Sequence, residues 1–137
     1  MPFQKFAGVE VTDLADGRAV AALPEGGDTL NHVGTQHAAA LFLVAEAAAG
    51  SALAGALRER ITGISFVLRQ SAISYDKKAG GTIRSVATVV DAHLPARVAG
   101  LAAGERFEAV ARSLLHNAQG ETVAEAVFTY HCRVLAA

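Results

Sequence analysis

Apolar and polar positions alternate, run together and alternate again along this chain, and the changes in period mark its elements. Val9–Leu14 and Arg18–Leu23 alternate roughly and flank Ala15-Asp16-Gly17, a pattern that predicts a β-hairpin. Residues 24–28, PEGGD, predict a loop. From Gln36 or His37 to about Arg60 the chain is apolar and Ala-rich, which predicts one long helix. Thr35 is the candidate N-cap, and Arg58 and Arg60 suit the negative end of the helix dipole. ITGISFVLRQSAISY at 61–75 and Thr82–Asp91 are β-rich runs separated by a KKAGG turn at 77–81. Arg106–His116 has helical propensity, but Phe107, Ala109, Ala111, Ser113 and Leu115 alternate. Thr122–Val134 alternates well and needs a strand partner, so 106–116 is assigned as a strand, with NAQG at 117–120 as the turn between them. The expected order is a hairpin, one long helix and a four-stranded meander. This is an α+β arrangement over a single domain, residues 1–137, with a curled antiparallel sheet wrapped around the helix.

The helix has no polar face. Residues 38–57 carry one charge, Glu46, over about the length needed to span a bilayer. Ala, Gly and Ser dominate the run and gain little from lipid, and a carboxylate in mid-span is costly there. A helix buried inside a folded protein is therefore expected, not a membrane span. The 12 basic and 13 acidic residues give a net charge of −1, which argues against binding nucleic acid or a membrane surface through bulk charge. The one cysteine, Cys132, excludes an internal disulfide and fits a reducing cytoplasm; the opening MPFQKFAGVEV lacks a signal-peptide layout. No metal site is expected. His32 and His37 are five residues apart, off the spacing that shares a helix face, and neighbouring His131 and Cys132 point to opposite sides of a strand.

Candidate chemistry concentrates in residues 31–50, NHVGTQHAAALFLVAEAAAG. The helical neighbours of Glu46 at three and four residues are Phe42, Leu43, Ala49 and Gly50, so its carboxylate is expected to be desolvated and hard to ionise. Such a group can act as general base or nucleophile. The free N–H groups at the helix start, Ala38 or its neighbour, are candidate oxyanion donors.

This stretch, with the order of elements, resembles the hotdog-fold acyl-CoA thioesterases, closest to the phenylacetate-type and 4-hydroxybenzoyl-CoA branch. That motif is Asn or Gln, then Gly-Thr or Gly-Ser, one residue, His-Gly-Gly, and an acid nine residues after the His. Here it reads Asn31, Gly34-Thr35, His37-Ala38-Ala39 and Glu46. ISYDKKAGGTIRSVATV at 73–89 resembles the family's strand pair. The resemblance implies hydrolysis of an acyl-CoA or acyl-carrier thioester, with CoA entering only as part of the substrate and no further cofactor. It implies a homodimer, or a dimer of dimers, with sites at the subunit interface: the Asn31 loop and helix start from one subunit, Glu46 from the other. Asn31 would hold the carbonyl or the attacking water, and His37 would shape the loop. Gly34 and Thr35 would contact substrate, and Arg69, Lys77, Lys78 and Arg84 are candidates for the CoA phosphates. The sequence departs from the family at Ala38-Ala39 for two glycines, and at Gly50 and Leu68 where a hydroxyl is common; Ser65 or Ser71 are candidate substitutes. Two alternatives stay open. One is a non-catalytic acyl-thioester binder. The other is a hotdog 3-hydroxyacyl dehydratase using His32 and Glu46, fourteen residues apart, although the prolines of that motif are missing.

Overall fold

The computed structural model describes residues 1–135; the last two residues of the expected domain lie outside the described residues. Six strands form one antiparallel sheet: β1 (Glu10–Ala15), β2 (Arg18–Leu23), β3 (Ile64–Tyr75), β4 (Ile83–Val89), β5 (Arg106–His116) and β6 (Thr122–Val134). The long helix α2 (Ala38–Ala56) lies against its concave face, between the shorter helices α1 (Pro2–Ala7) and α3 (Leu94–Ala99) in chain order. The expected α+β wrap around one helix is therefore present.

The strand order, β1-β2-β4-β5-β6-β3, corrects the expected meander. β3 does not pair with β4, its successor, but with β6 at the far edge. The pairings differ in extent. The 12-residue β3 matches the 13-residue β6 along its whole length, while the 7-residue β4 matches the 6-residue β2. β3 is thus an edge strand, exposed along most of its length, with one row of backbone donors and acceptors unpaired. Three further corrections are local. The helix stops at Ala56, and Arg58–Gly63 continues as a 3-10 turn. Helices α1 and α3 carried no periodic signal, each being only 6 residues long. The N-cap is His37, not Thr35.

α2 is long and apolar enough to cross a membrane, but most of it is buried inside the protein. Ala40, Leu41, Val44, Ala45, Ala48, Ala52 and Leu53 pack into the core with inward residues of β2, β4, β5 and β6, among them Leu23, Ile83, Leu115 and Phe128. Ser113 on β5 donates its hydroxyl to the Ala45 carbonyl at 2.8 Å, tying the helix to the sheet. Phe42, Glu46, Gly50 and Ala54 form a half-exposed stripe at four-residue spacing; Ser51 and Ala56 are half-exposed as well, and Ala38 and Ala39 in the first turn are exposed. The sheet closes over the buried residues of the helix and leaves this stripe partly open.

Small residues permit the close approach. A Cβ on Gly55 would stand 2.5 Å from the Ala15 carbonyl oxygen of β1. Gly55→Ala is therefore expected to lower stability by about 1–2 kcal/mol, because a backbone carbonyl cannot rotate away as a side chain can. Helix propensity alone favours Ala by about 1 kcal/mol, so the sign of the shift in a urea unfolding midpoint decides between the two effects. An unchanged or raised midpoint would show that the helix does not approach β1 so closely.

Candidate active site

The loop before α2 is built by side chains that bond to their own backbone. Asn31 Oδ1 accepts from the Val33 and Thr35 N–H groups, both at 3.0 Å, and Nδ2 donates to Thr35 Oγ1 at 2.8 Å. The turn this closes requires Gly34, whose φ is 79°. Gln36 then anchors the loop. Its side chain is buried, accepts from the Thr29 hydroxyl at 2.7 Å, and donates to the Pro24 and Gly81 carbonyls, both at 3.1 Å. One amide thus joins the loop at Pro24 and Thr29 to Gly81, 45 residues beyond Gln36 along the chain. Sequence reading passed over Gln36, since only tertiary contacts give it a role.

Next, His37 caps α2. Its Nδ1 accepts from the Ala39 N–H at 2.9 Å, which needs that nitrogen unprotonated. The cap narrows the choice of oxyanion donor. Ala39 N–H is occupied, whereas Ala38 N–H has no hydrogen-bond partner among the described residues. The Ala38 carbonyl accepts from the Tyr75 hydroxyl at 3.1 Å, which fixes the first turn against the end of β3.

These groups open on one cavity of about 530 Å³, lined by Asn31, His32, Thr35, Ala38, Tyr75, Lys77 and Lys78, among others. Lys77 Nζ also pairs with Glu121 at 3.0 Å. Arg69 and Arg84 do not line this cavity. Arg69 occupies a bulge in β3 and pairs with Glu108 at 3.3 Å, and Arg84 faces outward from β4.

Glu46 stands apart, eight residues along α2 from Ala38, or about 12 Å up the helix axis. It is half-buried, and no cation pairs with it among the described residues. Burial holds its carboxyl above the usual carboxylate range, and a hydrogen bond from Tyr130 opposes that shift. Tyr130 Oη donates to Glu46 Oε2 at 3.3 Å. Ser65 and Ser71, the expected candidates for a hydroxyl partner, lie exposed on β3, and no bond joins them to Glu46. Tyr130 was legible only as an inward position on β6, alternating with Phe128 and Cys132; its partner was not. The Cys132 thiol is buried on that same face and pushed up to about 11, which suits a core residue.

A family model described as Domain of unknown function (DUF4442) matches residues 1–132. The chain belongs to this DUF4442 family. No curated protein matches the sequence at a significant level. Solved structures share the fold throughout. A Pseudomonas aeruginosa protein described as a "Probable Thioesterase" is 25% identical, with a TM-score of 0.75 over 98% of this chain and 88% of that one. A mutant of the phenylacetic acid degradation protein PaaI from Thermus thermophilus is 25% identical, with a TM-score of 0.70 over 96% and 98%. AziG from S. sahachiroi, 22% identical, has a TM-score of 0.78 over 98% of both chains and shows the fold alone. The fold is the hotdog fold, and the structural neighbours of this DUF4442 chain are those of the hotdog thioesterase superfamily.

Proposed function

We propose that this protein hydrolyses an acyl-CoA or acyl-carrier thioester to a free acid and a thiol. The observation that carries the reading is Glu46: a half-buried carboxylate, with no cation paired to it among the described residues, on the central helix of a fold shared with a protein described as a probable thioesterase. Burial raises its proton affinity, which suits a group that must take a proton from water near neutral pH. In the general-base form, Glu46 removes a proton from water and the hydroxide adds to the carbonyl carbon. The oxyanion forms against the Ala38 N–H, where the helix dipole adds to the donor. Collapse breaks the C–S bond, and the thiolate leaves with the proton. In the nucleophilic form, Glu46 Oε adds to the carbonyl carbon, the C–S bond breaks and the thiolate leaves to be protonated by water, and a second water opens the resulting anhydride to the free acid and the Glu46 carboxylate.

No single chain can run either route. A reacting carbonyl must lie about 3 Å from both its donor and its attacking group, and Ala38 and Glu46 are too far apart along one helix. The working unit is therefore a homodimer, or a dimer of dimers, with each loop facing the partner's Glu46. The free edge of β3 offers the surface for pairing. Lys77 and Lys78 at the cavity mouth suit the CoA phosphates, and Arg69 and Arg84 would reach them only from outside this cavity. Asn31 and Gly34-Thr35 hold the loop in shape. No cofactor is needed beyond the CoA of the substrate, and the setting is the cytoplasm.

The deciding experiment is a thiol-release assay over a panel of acyl-CoAs of varied chain length and aromatic character, with a 3-hydroxyacyl thioester included. Thiol release with turnover is expected. Saturable binding without release would instead make the protein a non-catalytic acyl-thioester binder. Enoyl product from the 3-hydroxyacyl thioester would make it a dehydratase using His32 and Glu46.

A further inference from the structure

Two side chains of the half-exposed stripe of α2, Phe42 and Glu46, meet inward residues of β6. Phe42 meets Phe128 edge-on with ring centroids 5.5 Å apart. One helical turn later Glu46 meets Tyr130, two residues further along the strand. Tyr130 is only 2% exposed, and its ring is held edge-on by Phe66 of β3 at 5.9 Å. The hydroxyl is therefore delivered by a side chain that cannot swing away. A further turn along the helix, Gly50 leaves the space open: a Cβ there would stand 3.0 Å from Glu46 Oε2 and 3.6 Å from the Tyr130 hydroxyl.

We infer that Tyr130 is the positioning residue of Glu46, clamping Oε2 from the sheet so that Oε1 is presented for reaction, with Gly50 kept bare to admit the pair. This rests on the thioester hydrolase reading for its catalytic consequence, but the clamp itself is a property of the fold. Tyr130 is the one group that hydrogen-bonds Glu46 among the described residues, and it engages one oxygen of the two. A neutral hydroxyl donating to a carboxylate stabilises the charged form. It thereby offsets part of the desolvation that burial imposes, so the carboxylate can ionise and act as a base. No other titratable side chain perturbs Glu46. The neighbours of Glu46 on α2 are apolar, β3 contributes Phe66 to the Tyr130 ring, and Cys132 on β6 acts on Tyr130, with Glu108 of β5 acting on Cys132.

The test is Tyr130→Phe, which keeps the ring and removes the hydroxyl. The Glu46 carboxyl is followed by carbon-13 NMR titration in both proteins and assigned with Glu46→Gln. It is expected to titrate at higher pH in the Phe variant. With the best substrate from the acyl-CoA panel, the acid limb of the pH profile of kcat/KM is expected to move the same way. The value of kcat at neutral pH should fall by about tenfold to a hundredfold, the worth of one hydrogen bond to a charged group, with KM little changed. An unmoved Glu46 titration would overturn the inference, and so would a lost kcat with an unmoved acid limb. If wild-type protein releases no thiol from any acyl thioester, the hydrolase reading fails by itself, and the NMR titration still decides the clamp.

Discussion

Replacing Glu46 with Gln is expected to lower thioester turnover by about a hundredfold to ten thousandfold, the range typical of a positioned general base, while raising the stability of the fold at neutral pH. The two effects share one cause. Burial raises the proton affinity of Glu46 in the folded chain, so the folded state binds the proton more tightly than the unfolded state does. The stabilisation this gives is full at acid pH, below the ordinary carboxylate value, and is lost as pH rises through the raised folded value. Above that pH the folded chain carries a desolvated charge. Gln carries none, fills the same space and can still accept from Tyr130. Denaturant unfolding of both proteins from about pH 4 to pH 8 should thus show the Gln variant gaining on the wild type as pH rises. A variant that lost activity together with stability would point to a structural role for the carboxylate. One that kept its turnover would remove Glu46 from the chemistry.

The second large effect is expected from Ala38→Pro. Position 38 is the first residue of α2, where proline fits a helix because no intrahelical bond is lost. The preceding His37 already has φ −63° and ψ 143°, the extended conformation that a residue before proline requires. The substitution therefore removes one backbone N–H and little else from the fold. Turnover is expected to fall by about a hundredfold to a thousandfold, as for the loss of one oxyanion donor, with the unfolding midpoint close to wild type. Ala38→Gly, which keeps the N–H, should retain activity. The pair also tests where the site is assembled. If loop and carboxylate come from different subunits, co-expressing Ala38→Pro with Glu46→Gln gives mixed dimers with one intact site each. About a quarter of wild-type activity should return when the chains mix at random in a two-fold dimer. Should both halves belong to one chain, every site would carry one lesion and no activity would return.

Much of the fold is legible in the residue pattern, because the pattern is produced by burial. Phe107 to Leu115 and Ala124 to Val134 alternate since one face of each strand meets the helix, and that alternation outweighed the helical propensity of RFEAVARSLLH. The absence of a polar face on 38–56 predicts a helix enclosed by its own sheet. Glu46 stood out for the same reason, as the single charge in an apolar run.

Partner choice was decided elsewhere. Nothing local marks β6 instead of β4 as the neighbour of β3; that pairing is a property of how the whole sheet closes around α2. Gln36 reads as an ordinary polar residue until it is seen to join Thr29, Pro24 and Gly81. His37 and not Thr35 is the cap because α2 begins at Ala38, which puts His37 at the N-cap position with its Nδ1 on the Ala39 N–H. The sequence, then, determined the periodicities, the buried helix and the lone acid, all local consequences of which side of each element meets water. Only the tertiary structure decided which strand lies beside which, which N–H is left free at the helix start, and that a tyrosine 84 residues away holds the acid. The first and the last are contacts between segments distant in sequence and exist only once the chain has closed, whereas the free N–H follows from the local shape of the loop, in which His37 bonds the Ala39 N–H two residues on.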